Sequence, residues 1–324
     1  MKIIFIVWAF PKTRAKQLAN KFDAKLYGIE IINNYPKIIK YFISFSKTVY
    51  ILLREKPNII IAQVPPIFIT LPIYFYINIF GGKYIFDVHS GEIVDRKWKY
   101  FEPVRKFFFT RAFLILFHNR SNYNQVKNKY WKINSTILND PIPTPSNDIS
   151  AIRICNKCRN VVIISSFDDN EPYKECFKAL NELIKQDKKW HFIFTGDNSK
   201  IDTLGFNKNI TFTGFIDYKK YWGILKGADI IVSLNKRNDV ITCGLWEGVS
   251  LNKPIVTNDY KDIKKIFNNN IIYSNNSEQS IKTAIEIAYK ERGYLSKSIR
   301  IHKLKIDRDW NKKLLTIKKL MNNK

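Results

Sequence analysis

The sequence predicts an α/β protein built from two doubly wound, Rossmann-like domains, and three observations carry that prediction. Apolar, β-branched runs recur along the chain with helix-patterned stretches between them, the alternation of parallel sheets covered by helices on both faces. The series halts once, at "DPIPTPSNDIS" (140–150), where three prolines among polar residues suit a linker and oppose any regular element. A length of 324 residues lets each half bury a core of its own.

In the first half the strand candidates are 2–8, 24–29, 58–64, 83–89, 113–119 and 135–140, with the clearest helix at 37–55. The opening run "KIIFIVW" reads as the first buried strand, since no small-residue cleavage site follows it. Residues 57–82 carry no charged side chain and are long enough to span a bilayer, but Pro65, Pro66 and Pro72 interrupt them. The expectation there is a buried strand, a loop at the two prolines and an apolar helix, with residues 67–80 able to rest on a membrane where protein leaves them uncovered. In the second half the candidates are 160–166, 191–196, 209–214, 228–234, 253–258 and 270–275. The tail, 303–324, reads as an amphipathic helix whose Trp310, Leu314, Leu315, Ile317 and Leu320 pack back onto the body. The expected division is 1–150, 151–302 and that tail, the two domains facing across a cleft.

Composition narrows the partners. An apolar fraction of 45% with 15% aromatics excludes a disordered chain. With 54 Lys plus Arg against 28 Asp plus Glu, the formal charge is +26, so nucleic acid, an acidic membrane surface and a phosphorylated small molecule are all eligible partners. AT-rich coding would produce the same Lys, Asn and Ile bias with no partner at all. Four cysteines make no disulfide framework, which places the chain in a reducing cytosol. "CNKC" (155–158) has the spacing of zinc and redox centres but lacks a second pair, and His118, His191 and His302 form no metal-like cluster, so no metal and no cofactor are expected.

Ligands of open parallel sheets sit outside the carboxyl ends of the strands. In the second half those ends carry "IISSFDDNEP", "FTGDNSK", "FTGFIDYKK" and "NKRNDVITCGLWE". The last leads into a helix, whose free N–H groups suit a diphosphate, and Lys236 and Arg237 add full positive charges before it. Glu247, farther along, offers two acceptor oxygens to neighbouring ribose hydroxyls; an exposed helix carboxylate is the plain alternative. Gly244 permits close approach of a ligand, Asp239 is either a ligand contact or a helix cap, and Phe215, after the turn at Gly214, either flanks a base or fills the core. In the first half "DVHSGEIVD" ends a strand with Asp87, His89 and Glu92, each able to take a proton from a hydroxyl, although Asp87 would equally serve to hold a loop. Arg14 starts the first helix, where it could meet an anionic acceptor. "DRD" (307–309) mimics a metal-binding pair but precedes a helix far from the other candidates.

The stretch "ITFTGFIDYKKYWGILKGADIIVSLNKRNDVITCGLWEGVSLNKPIVTNDYKDIKKIF" resembles the donor-binding half of GT-B-fold glycosyltransferases, in particular the family-4-like bacterial enzymes that assemble surface polysaccharides. The resemblance runs through most of 160–270 and continues more weakly through "FDVHSG" and "ILNDPIPTP". It implies a metal-independent transfer of a sugar from a nucleotide diphosphate-sugar to a hydroxyl of a glycan or lipid-linked acceptor. The first domain would lie on the acceptor side and the enzyme would work in the cytoplasm, at times on the inner face of the membrane. In that family a Glu-x7-Glu pair binds the donor; Asp239 and Glu247 stand at that spacing, with Asp replacing the first Glu. The family also places Arg and Lys in the loop after "VVIISS", where this chain has Asp168, Asp169 and Glu171. A histidine after the "FDV" strand, here His89, would contact the donor. Two other readings stand beside this one: a basic nucleic-acid-binding protein, opposed by the lack of any recognised binding module, and a sugar-nucleotide epimerase or hydrolase of the same fold.

Overall fold

The computed structural model describes residues 1–32, 34–130, 132–203 and 205–322. The chain forms two compact units, Met1–Pro141 with Trp310–Lys324, and Ile142–Asp309. Each is built on a six-stranded parallel sheet. The first sheet comprises β1 (Ile3–Val7), β2 (Lys25–Gly28), β3 (Ile59–Val64), β4 (Lys83–Val88), β5 (Leu114–Phe117) and β6 (Ser135–Ile137), in the order β2-β1-β3-β4-β5-β6. The second comprises β7 (Arg159–Ile164), β8 (Trp190–Thr195), β9 (Ile210–Phe212), β10 (Ile230–Val232), β11 (Ile255–Asn258) and β12 (Ile272–Ser274), in the order β12-β11-β10-β7-β8-β9. Each strand expected from the sequence is present.

The apolar runs are continuous because both faces of each sheet are covered. Along β1, Ile4 and Ile6 enter one core with Ile60, Phe86 and Phe117, while Phe5 and Val7 enter the opposite one with Ile61, Ile85 and Leu116. That second core is closed by the terminal helix Arg292–Asn322, which contributes Trp310, Leu314, Ile317 and Met321. Their spacing of four, three and four residues makes one helical stripe. Leu315 and Leu320, expected on it, point to solvent instead, and Met321 takes the last place. The terminal helix begins at Arg292, well ahead of the tail read from the sequence.

The apolar stretch after β3 turns at Pro65 and Pro66 and then forms the helix Thr70–Phe80. Pro72 falls in its first turn, where a missing N–H breaks no intrahelical bond. No described helix is long and apolar enough to cross a membrane. Cys155 and Cys158 are joined in a disulfide, against the expectation of free thiols, because the short turn between them brings their Cα atoms to 5.3 Å.

Candidate functional site

In the second sheet the strand order reverses between β7 and β10, and ligands of doubly wound folds collect at that reversal. A cavity of about 370 Å³ lies there, at the carboxyl ends of β7, β8 and β10. Ser165 and Ser166 follow β7, Thr195 and Gly196 close β8, and Ser233 follows β10. Gly214 and Phe215 form the rim, and Thr242, Cys243 and Gly244 open the helix Cys243–Ser250 on the far wall. The walls are close-set for a physical reason. Gly196 has φ +106°, and a side chain on it would meet the Ser165 carbonyl at 2.0 Å. A Cβ on Gly244 would come within 2.6 Å of Ser233 Oγ and 2.9 Å of Ile164, so this glycine seats the helix against the sheet as well as lining the cavity.

Phe215 is 85% exposed at the rim, which removes it from the core and leaves its ring face open. Gly214 supplies the left-handed turn before it, with φ +63°. Glu247 does not itself line the cavity; its Oε2 accepts a 2.5 Å hydrogen bond from the hydroxyl of Tyr221, which does. Burial pushes the Glu247 carboxyl above its ordinary range, against the opposing effect of that hydrogen bond. Burial and the neighbouring Glu247 charge also raise Tyr221, so the phenol stays protonated and donating. Asp239 is buried and pairs with Arg237 at 2.8 Å, and the helix cap position belongs to Thr242, not to Asp239. Lys236 lies 3.8 Å from Glu175. Neither Lys236 nor Arg237 is among the cavity-lining residues.

The acidic loop after β7 has a built role that its sequence conceals. Glu171 folds back so that Oε2 accepts from Ser165 Oγ at 2.6 Å and from the backbone N–H groups of Ser166 at 2.8 Å and Phe167 at 3.0 Å. Its Oε1 accepts from Ser166 Oγ at 3.0 Å. A positive φ of 55° at Phe167 turns these amides toward one point. The carboxylate thus occupies a backbone nest of the kind that otherwise receives an anion.

The first unit gathers a second polar cluster at the carboxyl ends of β4 to β6. Asp87 is wholly buried, and Arg14 donates to it from Nε at 3.1 Å and from Nη2 at 2.7 Å. The same guanidinium reaches Asp140 at 2.7 Å and the Leu138 carbonyl at 2.9 Å. Arg14 is therefore a buried clamp whose N–H groups are largely spent inside the protein, not a surface contact for an acceptor. Burial works to raise the Asp87 carboxyl, but the Arg14 charge, with the His118 and His89 rings close by, outweighs it and holds it well below its usual range. His89 is 30% exposed, with Nε2 3.3 Å from Asp87 Oδ2, and its ring packs edge-on against His118 at 4.0 Å. His118 is pushed down to about 4 by burial and by the Arg14 charge, which keeps it neutral. Glu92 is also wholly buried, paired with Arg105 at 3.1 Å, and burial lifts it to about 7. It faces the interior and offers nothing to a substrate. Nothing in the local sequence signals that His118 joins His89 and Asp87, because β5 meets β4 only through the sheet.

Residues 148–303 match the family model of glycosyl transferases, group 1. The chain carries a group 1 glycosyltransferase domain. Over nearly its whole length the glycosyltransferase is also similar in fold to solved structures at low sequence identity. HepE from Anabaena in complex with UDP shares 12% identity over 98% of this chain and 100% of its own, with a TM-score of 0.67. Sucrose-phosphate synthase from Thermosynechococcus elongatus shares 10% over 99% and 98%, with 0.70. A putative UDP-N-acetylglucosamine 2-epimerase from Listeria monocytogenes shares 12% over 93% and 91%, with 0.60. No curated protein matches the sequence. The glycosyltransferase thus has the GT-B fold, two Rossmann-like units, as its sequence motifs led us to expect.

Proposed function

We propose that this glycosyltransferase binds a nucleotide diphosphate-sugar in the cavity at the carboxyl ends of β7, β8 and β10 and passes the sugar to a hydroxyl of a glycan or lipid-linked acceptor. The observation that carries the reading is the cavity itself: an exposed ring at Phe215, small residues that let a ligand reach the backbone, a helix start at Thr242 to Gly244, and the Tyr221–Glu247 pair beside it. In transfer, the acceptor oxygen bonds to the anomeric carbon as the bond from that carbon to the diphosphate oxygen breaks. Negative charge grows on the departing diphosphate. N–H groups at the start of the Cys243–Ser250 helix and the paired hydroxyls of Ser233 and Thr242 stabilise it. The acceptor proton goes to a base, and His89 is the exposed member of the first-unit cluster, held by Asp87 behind it. HepE has been solved with UDP-glucose, so a uridine donor is the first to test.

The first unit also has a face suited to an anionic membrane. The neighbouring helices Lys37–Glu55 and Thr70–Phe80 expose Ile38, Phe42, Phe75 and Ile79, and Lys37 and Lys47 are exposed on the first of them. Apolar side chains with basic neighbours bind such surfaces by burial and charge together. We place the protein on the cytoplasmic side of the membrane in this reading.

Thermal shift with UDP-, GDP- and CMP-sugars tests the proposal, since a ligand at 100 times its Kd stabilises the native state by about 2.7 kcal/mol. One sugar nucleotide should raise the melting temperature, and with acceptor present the sugar should appear on it. No shift with any donor at millimolar concentration, together with steeply salt-dependent nucleic-acid binding, would overturn it. Free sugar or an isomerised nucleotide-sugar as the sole product would assign hydrolysis or epimerisation instead.

A further inference from the structure

We propose that, with its thiols reduced, the Cys155–Cys158 turn joins His191 in a binding site for a zinc-type divalent cation at the amino-terminal edge of the second sheet. Cys158 immediately precedes β7, and Asn160 on β7 is the register partner of His191 on β8. The two sulfurs and a ring nitrogen of His191 all lie within 4.8 Å of one another. A tetrahedral zinc with metal–sulfur bonds of about 2.3 Å and metal–nitrogen bonds of about 2.0 Å needs ligand atoms roughly 3.5 to 3.8 Å apart. Breaking the S–S bond lets the sulfurs part toward that spacing, and the imidazole has only a small distance to travel.

The turn is held by bonds that do not involve sulfur, so it survives reduction. Buried Asn160 accepts from Cys155 N–H at 3.1 Å and donates to the carbonyls of Cys155 at 2.7 Å and Cys158 at 3.1 Å. Arg153 donates to the Cys158 carbonyl at 2.8 Å. His191 is positioned as ligating histidines are, with Nε2 3.0 Å from Thr211 Oγ1, which fixes the ring and leaves its other nitrogen for a metal. Burial pushes this imidazole below its ordinary value, toward the neutral form that ligates. Two sulfurs and an imidazole select zinc over magnesium or calcium. Two thiolates with a dication leave no net charge beside Arg153, Lys157 and Arg159. The half-exposed turn leaves a fourth coordination position to water. The site is separate from the nucleotide cavity, since β7 runs about 17 Å between the two ends.

The chemistry is a reduction followed by a proton exchange. A phosphine reductant gives two electrons to the disulfide and takes the oxygen of a water molecule to leave as phosphine oxide, the two protons of that water go to the sulfurs, and the bound cation later displaces both. The test uses the full chain, reduced with phosphine and titrated without oxygen with Co²⁺ as a spectroscopic substitute for zinc. A sulfur-to-cobalt charge-transfer band should saturate at one equivalent and be bleached by zinc, while the oxidised protein shows none. C155S and C158S should each abolish the band, and H191N, which keeps a partner for Thr211, should weaken Co²⁺ binding by about 10-fold or more. Zinc should also shield Cys155 and Cys158 of the unmutated chain from iodoacetamide, read by mass mapping, so the result does not depend on variants that fold. Absence of the band, equal affinity in H191N, or no shielding overturns the site.

Discussion

Replacing Arg14 with Met would separate a clamp from a substrate contact. The guanidinium satisfies Asp87, which has no exposed surface, together with Asp140 and a backbone carbonyl. Removing it leaves two carboxylates with only His118 between them, its ring nitrogens 3.7 Å from each. Breaking a buried pair from one side costs about 3 to 5 kcal/mol, and R14M should lose that much at pH 8. The penalty should shrink on acidification. In the unmutated protein burial and the Arg14 charge hold His118 at about 4, below the ordinary imidazole value of 6.5. That depressed value contributes up to about 3 kcal/mol of stability above pH 6.5, lost as pH falls through 4. Without Arg14 the imidazole rises, protonates earlier and pairs with the abandoned carboxylates. Hydrogen exchange of β4 amides at pH 5 and pH 8 reports the first unit alone. A penalty below about 1 kcal/mol, or one that grows toward pH 5, refutes the clamp.

Two further substitutions test the cavity. F215A should leave stability within about 0.5 kcal/mol, because the ring is exposed. It should weaken nucleotide binding by about 1 to 3 kcal/mol, roughly 5- to 150-fold in Kd by calorimetry; an unchanged Kd would move the base elsewhere. Y221F removes the hydroxyl that Glu247 accepts from and should cost about 1 to 3 kcal/mol in urea unfolding of the second unit, with the Glu247 carboxyl rising further. An unaltered midpoint would show that the pair carries no energy.

The strands were legible because each is an apolar run whose two faces are both covered, a pattern that needs no knowledge of distant contacts. The cavity was half legible. Strand ends such as Ser165, Thr195 and Gly214 announce themselves by position, and Phe215 follows from its turn. Tyr221 was missed because it lies on a different helix from Glu247 and only packing brings the hydroxyl to the carboxylate. The partners of Arg14 are 73 and 126 positions away, so a helix-start arginine looked like a surface cation. The same limit applies to "CNKC": local spacing shows the two sulfurs, whereas the imidazole arrives through strand pairing.

Glu171 decides how the proposed donor lies in its cavity. Since it fills the amide nest after β7, a diphosphate placed there would meet a like charge; at 4 Å and an effective dielectric of 20 the repulsion is about 4 kcal/mol per charge pair. The favourable place is the opposite wall, where the Cys243–Ser250 helix begins and Ser233 and Thr242 present hydroxyls. That orientation sets the base toward Phe215 and assigns the acidic loop to holding the backbone. E171Q keeps an oxygen for the two amides but removes the charge. It should lower stability by about 1 to 2 kcal/mol, the difference between charged and neutral hydrogen bonds, while nucleotide affinity holds or improves. If calorimetry shows affinity falling at least tenfold with the fold intact, Glu171 touches the donor and the orientation must be reversed.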